Sequence, residues 1–227
     1  MYGERVNGVY MVFAECADPA QEREFNRWYT NEHLVDVLDT RLFGRASRFV
    51  AATPDTPKYL AVYETNLPLD QVMREMPPAM DKLRAEGRSP DFVKVVHRLY
   101  GQTMQPGMFT FAPLKYDAVH GLLVMASNPK TPGTDDAFNK WYDKVHMKDI
   151  AATKLHSVAH RFRVVNENPD GIAYVNLYEN QLDDAARGLT GLDDFRQRWI
   201  DNGTYYADRV SKLRGAYRWL VRYENEG

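Results

Sequence analysis

Tyr29, His33 and Asp36 stand at i, i+4 and i+7, a spacing that puts all three on one face of a helix. A helix built only to pack would place Leu or Val there. Histidine, with an ordinary pKa of ~6.5, takes and returns protons near neutrality. A carboxylate three residues on favours the imidazolium and fixes the ring's tautomer, and a phenol one turn earlier supplies a hydrogen bond. The trio recurs as Tyr142, His146 and Asp149. The chemistry that suits such a face is general acid–base catalysis. The bland alternative is a histidine that ends a helix beside a solvated aspartate.

Other residues gather around these. Trp28 and Trp141 precede the tyrosines and read as core anchors or as walls of an apolar substrate pocket. Arg48 and Arg161 lie in strand-like runs next to Phe49 and Phe162. There an arginine is either an edge charge, paired with Glu64 or Glu179, or a holder of a carboxylate or enolate oxygen. His156 and His160 share one side of a strand, and His160 is a candidate substrate contact. With His146 they reach a metal-like count of three histidines, but no carboxylate motif accompanies them, so no metal is expected. The chain lacks Walker, G-x-S-x-G, G-x-G-x-x-G and H-E-x-x-H signatures, which removes most nucleotide, serine-hydrolase and zinc-protease chemistry.

The elements that must position these groups come twice. Phe25-Asn26-Arg27-Trp28-Tyr29 returns 113 residues later as Phe138-Asn139-Lys140-Trp141-Tyr142, and six of the twelve positions from 25 to 36 are identical. The offset also pairs Arg48-Phe49 with Arg161-Phe162; after a shift of two, Tyr63 and Glu64 pair with Tyr178 and Glu179. The copies diverge at Asn31-Glu32, which become Lys144-Val145, and at Phe43 and Ser47, which become His156 and His160. Two units are therefore expected, at 5–104 and 116–225. Gly101 to Gly107, with its Gly and Pro, reads as the start of a connection that includes 105–115.

Each unit reads β-α-β-β-α-β. Val9–Phe13 and Leu122–Met125 open the two copies as strands. Asp18-Pro19 with Gln21 three residues on marks a helix start, and that helix runs to about Leu38. Strands follow at about 45–52 and 59–64, a second helix at about 70–86 broken near Pro77-Pro78, and a last strand at about 92–100. The second copy repeats this with strands at about 159–165, 173–178 and 216–223 and a helix at about 192–202. The strands are apolar on both alternating faces. Helices cover one face, and the other copy's sheet is the natural cover for the second, which makes an α+β barrel of two antiparallel sheets.

Composition narrows the setting. The chain has 227 residues, 29 Lys and Arg against 31 Asp and Glu, and a net charge of −2. That balance argues against binding nucleic acid. Apolar runs are far shorter than the ~20 residues of a membrane span, and a single cysteine, Cys16, excludes a disulfide scaffold. A cytoplasmic protein is expected.

Trp28 to Leu38 followed by Gly44-Arg45-Ala46-Ser47-Arg48-Phe49 resembles the dimeric α/β-barrel superfamily, and within it the EthD-like branch. Members usually hold one ferredoxin-like unit and dimerise; this chain resembles a tandem fusion of two. The resemblance implies the barrel fold. It leaves function open among cofactor-free cyclases, isomerases, monooxygenases, haem enzymes and proteins without known activity. The residues favour a cofactor-independent lyase or isomerase working by proton transfer on a small apolar, oxygenated or aromatic molecule. A non-catalytic ligand-binding or stress-associated barrel and an oxygen-using barrel are the alternatives. Pairing of two such barrels into a homodimer stays open.

Overall fold

The computed structural model describes residues 5–114 and 121–225, so 115–120, at the expected junction of the two units, lie outside it. Eight strands are present: β1 (Gly8–Cys16), β2 (Arg45–Ala51), β3 (Tyr59–Thr65), β4 (Val93–Thr110), β5 (Gly121–Pro129), β6 (Val158–Val164), β7 (Tyr174–Asn180) and β8 (Arg209–Glu224). They close into one barrel in the order β1-β3-β2-β8-β5-β7-β6-β4, with every neighbour antiparallel. The two expected sheets do face each other, and they are also hydrogen-bonded along both edges.

Closure depends on the two longest strands. β4 pairs with β1 over Val93–Gln102 and with β6 over Gly101–Thr110. β8 pairs with β5 over Arg209–Arg218 and with β2 over Tyr217–Glu224. Each therefore serves both sheets, and β4 runs on through residues 105–110. The Gln105-Pro106-Gly107 signal marks a register shift between Thr103 and Met108 within the strand. Gly101 sits where β4 passes from one partner to the other. A Cβ there would lie 2.8 Å from Phe162 Cβ and 3.1 Å from Val9 Cγ2, so only glycine fits.

The alternating strands split the core into three. Val9, Met11, Phe13, Leu60, Val62, Leu122, Val124, Val175 and Leu177 fill the barrel. Tyr10, Val12, Ala61 and Tyr63 point outward beneath one pair of helices, and Leu123, Ala159 and Tyr178 beneath the other. β3 and β7 are buried along their whole length. Alternation also separates side chains that the sequence reading joins. Arg48 faces the helices whereas Glu64 faces the barrel, where it meets Arg45 at 3.6 Å. Likewise Glu179 meets His160, Nε2 to Oε1 2.7 Å, and not Arg161.

Helix α1 comprises Glu22–Trp28, a π-turn at Tyr29–His33, and Leu34–Asp39. Its counterpart α3 comprises Asp135–Trp141, a π-turn at Tyr142–His146, and Met147–Thr153. Asp18 Oδ1 accepts from Ala20 N–H at 2.9 Å and so caps the short 3₁₀ turn, Pro19–Gln21, that leads into α1. Helices α2 (Leu69–Ala85) and α4 (Arg187–Asp201) complete the outer layer. Contrary to the expected break, α2 continues through Pro77 and Pro78. Both prolines face solvent, while Leu69, Val72 and Met76 hold the helix to the sheet. That contact outweighs the two missing backbone donors.

Candidate functional site

Each half holds a cavity between its helices and the outer face of its sheet, and each cavity is lined by the helix histidine. The first, about 110 Å³, is bounded by His33, Trp28 and Tyr29 of α1, Met76 and Met80 of α2, Tyr10 of β1 and Tyr63 of β3. The second, about 180 Å³, is bounded by His146, Tyr178, Leu192 and Trp199, with Arg196, Arg209 and Arg214.

The π-turns set the histidines' place. Leu34 N–H reaches back to Tyr29 O and Met147 N–H to Tyr142 O, five residues in each case, so one extra residue is wound into the helix. Tyr29 and His33 stay on one face. Beyond the turn, the extra residue rotates everything by about 100°. Asp36 is thereby carried away from His33, and both of its oxygens are taken by Arg88, Nε to Oδ2 at 2.9 Å and NH2 to Oδ1. The expected His–Asp dyad is therefore absent. In the second half Asp149 Oδ2 is buried and has no hydrogen-bond partner among the described residues.

Aromatic rings replace the carboxylates as the histidines' neighbours. His33 stacks on Trp28 at 4.7 Å and meets Tyr29 edge-on at 4.9 Å. His146 repeats this with Trp141 at 4.7 Å and Tyr142 at 4.9 Å, and Trp199 adds a third ring edge-on at 5.5 Å. Burial, helped by the charge of Arg48, pushes His33 down to about 4; burial, with Arg209 and Arg161, pushes His146 down to about 3. Both rings are therefore neutral at pH 7, not the imidazolium that a neighbouring carboxylate would favour. His33 is half-buried and opens onto its cavity, whereas His146 is buried under Trp199.

The hydroxyl groups distinguish the halves. Tyr142 and Tyr178 hydrogen-bond to each other at 3.0 Å. Their counterparts Tyr29 and Tyr63 also lie close enough to influence each other, but buried Tyr63 Oη makes no hydrogen bond of normal geometry among the described residues. Burial raises the Tyr29 hydroxyl to about 12 and Tyr63 well above its ordinary value, so both stay protonated donors. Tyr63 and Tyr10 were missed as site residues. Their signal is the β period of two, which turns both toward the helix, and for Tyr63 also its match with Tyr178 across the repeat.

Arg48 and Arg161 stand behind the tyrosines rather than in the cavities. Arg48 lies over the rings of Tyr29 and Tyr59, each at 4.6 Å, and Phe25 at 5.1 Å. One nitrogen donates to Thr30 Oγ1 at 3.0 Å and Asn26 O at 3.3 Å, but Nε and NH2 are buried without partners. Arg161, over Tyr142 at 4.3 Å, is fully bound: Nε to Asn176, NH2 to Asn139 and NH1 to Asp143. Thr30 and Ala61 replace Asp143 and Asn176 in the first half. His156 Nε2–H donates to Gly188 O at 2.9 Å, and His160 is turned into the barrel, so the three histidines do not converge. Among the described residues no three His, Cys, Asp or Glu side chains come together as a metal-ligand set.

With the fold and both cavities in view, comparison with known proteins becomes informative. No family model matches the chain. In structure it is similar across 100% of its length to an anthrone oxidase-like protein, at TM-score 0.63 and 10% identity over 96% of that chain. It is also similar to a variant of Rhodococcus jostii RHA1 DypB in complex with heme, at TM-score 0.59 and 8% identity, over 96% of this chain and 94% of that one. The likeness is one of fold, an eight-stranded antiparallel α/β barrel of the ferredoxin-like kind. In sequence, 60 residues are 38% identical to "Core atranone cluster (CAC) protein 1" of Stachybotrys chlorohalonatus (strain IBT 40285). That match spans about a quarter of either chain, 26% of each.

Heme in one of these barrels requires a test of fit here. The cavities, about 110 and 180 Å³, compare with the ~150 Å³ that holds one benzene molecule. A four-ring macrocycle does not fit either. Nor is a ligating nitrogen on offer from His160, which is bonded to Glu179. No helix among the described residues is long and apolar enough to cross a membrane.

Proposed function

We propose that this barrel is a cofactor-independent enzyme that moves a proton next to a carbonyl group in a small apolar, oxygenated molecule, and that the first half carries the site. The observation that supports this most is that a neutral His33 and the hydroxyl of Tyr63, which makes no hydrogen bond of normal geometry among the described residues, line the same cavity. In the second half the equivalent hydroxyl is already bound to Tyr142.

The residues divide the work simply. His33 accepts a proton from the carbon next to the carbonyl. The C–H electron pair shifts into a new C=C bond, and the carbonyl π pair moves onto oxygen. Tyr63 donates a hydrogen bond to that developing enolate, which also relieves the cost of its buried hydroxyl. Return of the proton to a different carbon completes an isomerisation. Loss of a β-hydroxyl as water, protonated by the imidazolium, completes a dehydration. Trp28 holds the imidazole plane, Met76 and Met80 reshape to the ligand, and Arg48 acts through Tyr29 as a positioning residue.

The test is deuterium incorporation at the α-carbon of a panel of enones and lactones in D₂O, followed by NMR. Wild-type protein is expected to speed exchange of at least one member. His33→Ala should slow it by ~10²–10⁴-fold and Tyr63→Phe by ~10²–10³-fold, with His146→Ala near wild type. Exchange that survives His33→Ala at the wild-type rate refutes the assignment.

A further inference from the structure

Both cavities carry arginines: in the first, Arg84 and Arg88 are held by Asp81 and Asp36, and Arg98 lies beside Tyr10; in the second the arginines are arranged differently. Four charged side chains line it, Arg196, Arg209, Arg214 and Asp193, and 3 − 1 leaves +2 with His146 neutral. Arg214 is taken up by Asp193 at 2.7 Å. Arg196 and Arg209 have no carboxylate partner among the described residues; each lies instead over the ring of Tyr205, at 5.6 and 5.4 Å, and Arg209 also over Trp141 at 5.9 Å. Two guanidinium groups that converge on one space without an acidic partner repel each other, and an anion between them removes that repulsion. They also reach Tyr205, whose hydroxyl burial alone would raise but which Arg209 and Arg196 together bring below its ordinary value.

Behind the cations the walls are flat and apolar. Trp199 and Tyr178 contribute rings, and Ile150 and Leu192 contribute aliphatic surface. The cavity, at about 180 Å³, has room for one six-membered ring and a small substituent, judged by the ~150 Å³ that accepts benzene. A cavity lined both by arginines and by apolar rings and aliphatic groups suits an amphipathic small molecule. We infer that the second-half cavity is a binding site for a planar aromatic carboxylate, its ring against Trp199 and its charge between Arg196 and Arg209. This site is separate from the reaction proposed for His33 and does not depend on it.

Isothermal titration at low ionic strength with benzoate, and with benzamide as its uncharged match, tests this without any turnover assay. Benzoate should bind wild-type protein at millimolar concentrations or below, with benzamide at least ~10-fold weaker, the scale of one charge-assisted hydrogen bond. Arg209→Gln and Arg196→Gln should each weaken benzoate by a similar factor, while Arg98→Gln, at the other cavity, leaves it unchanged. Arg196 is exposed on α4, so its variant decides the matter if Arg209→Gln fails to fold. Benzamide binding as tightly as benzoate, retained affinity in the arginine variants, an equal loss in Arg98→Gln, or no benzoate binding at all overturns the inference.

Discussion

Protonation of His33 separates two accounts of the site numerically. An imidazole at its ordinary pKa of ~6.5 is about 9% neutral at pH 5.5, whereas one at about 4 is ~97% neutral there. If proton abstraction needs the neutral ring, the first account predicts that kcat/KM at pH 5.5 falls to about a tenth of its value at pH 7.5, and the second predicts almost no change. The ring's own titration can be read without a substrate, from its Cε1–H resonance in protein labelled at histidine, with His33→Gln to assign the signal. The midpoint should lie about two units below that of an exposed histidine, and the acid limb of any activity should follow it. The sign carries over to stability. The unfolded chain binds this proton below pH ~6.5 and the folded one does not, so folding free energy is lost as pH falls from there toward 4. A midpoint at or above 6.5 would refute the assignment of burial as the dominant influence, and with it the base role at low pH.

Two further outcomes follow from charges already placed. Arg48→Met should cost at least ~2 kcal/mol less stability than Arg161→Met in urea unfolding, because removing Arg161 strands Asp143 whereas removing Arg48 strands no carboxylate; equal losses would contradict the buried geometry. Asp36→Asn should leave the His33 titration midpoint within ~0.3 unit, since Arg88 and not His33 holds that carboxylate. A downward shift of a full unit would restore the dyad that the spacing suggests.

Much of the architecture is legible from sequence because it rests on periodicities. Tyr10 and Val12 alternate with Met11 and Phe13, and this two-sided apolar pattern is what requires a second sheet. The repeated Phe-Asn-x-Trp-Tyr places two equivalent helices. What the sequence hides is the π-turn, since no residue type announces an extra residue wound into a helix; the i, i+7 match of Tyr29 with Asp36 is correct for an α-helix and wrong for this one. Pro and Gly near 105 similarly look like an end and turn out to be a register shift, because β4 finds a second partner once β1 runs out. The cavity walls were partly readable, as Trp28 and His33 were, but Arg196, Arg209 and Trp199 come from segments with no counterpart motif in the first half.

Closure through β8 has a consequence for the order in which this protein can be made. Arg45 on β2 pairs with Glu224, so one edge of the first sheet is covered by residues far along the chain. During synthesis, β2 waits with an open row of donors and acceptors until β8 (Arg209–Glu224) has been made. Pairings of such sequence separation form late and slowly. Truncation before β8 would leave that edge, and the matching edge of β5, available to other chains. The seam between β2 and β8 therefore ties the two halves into one closed barrel that neither half can complete alone.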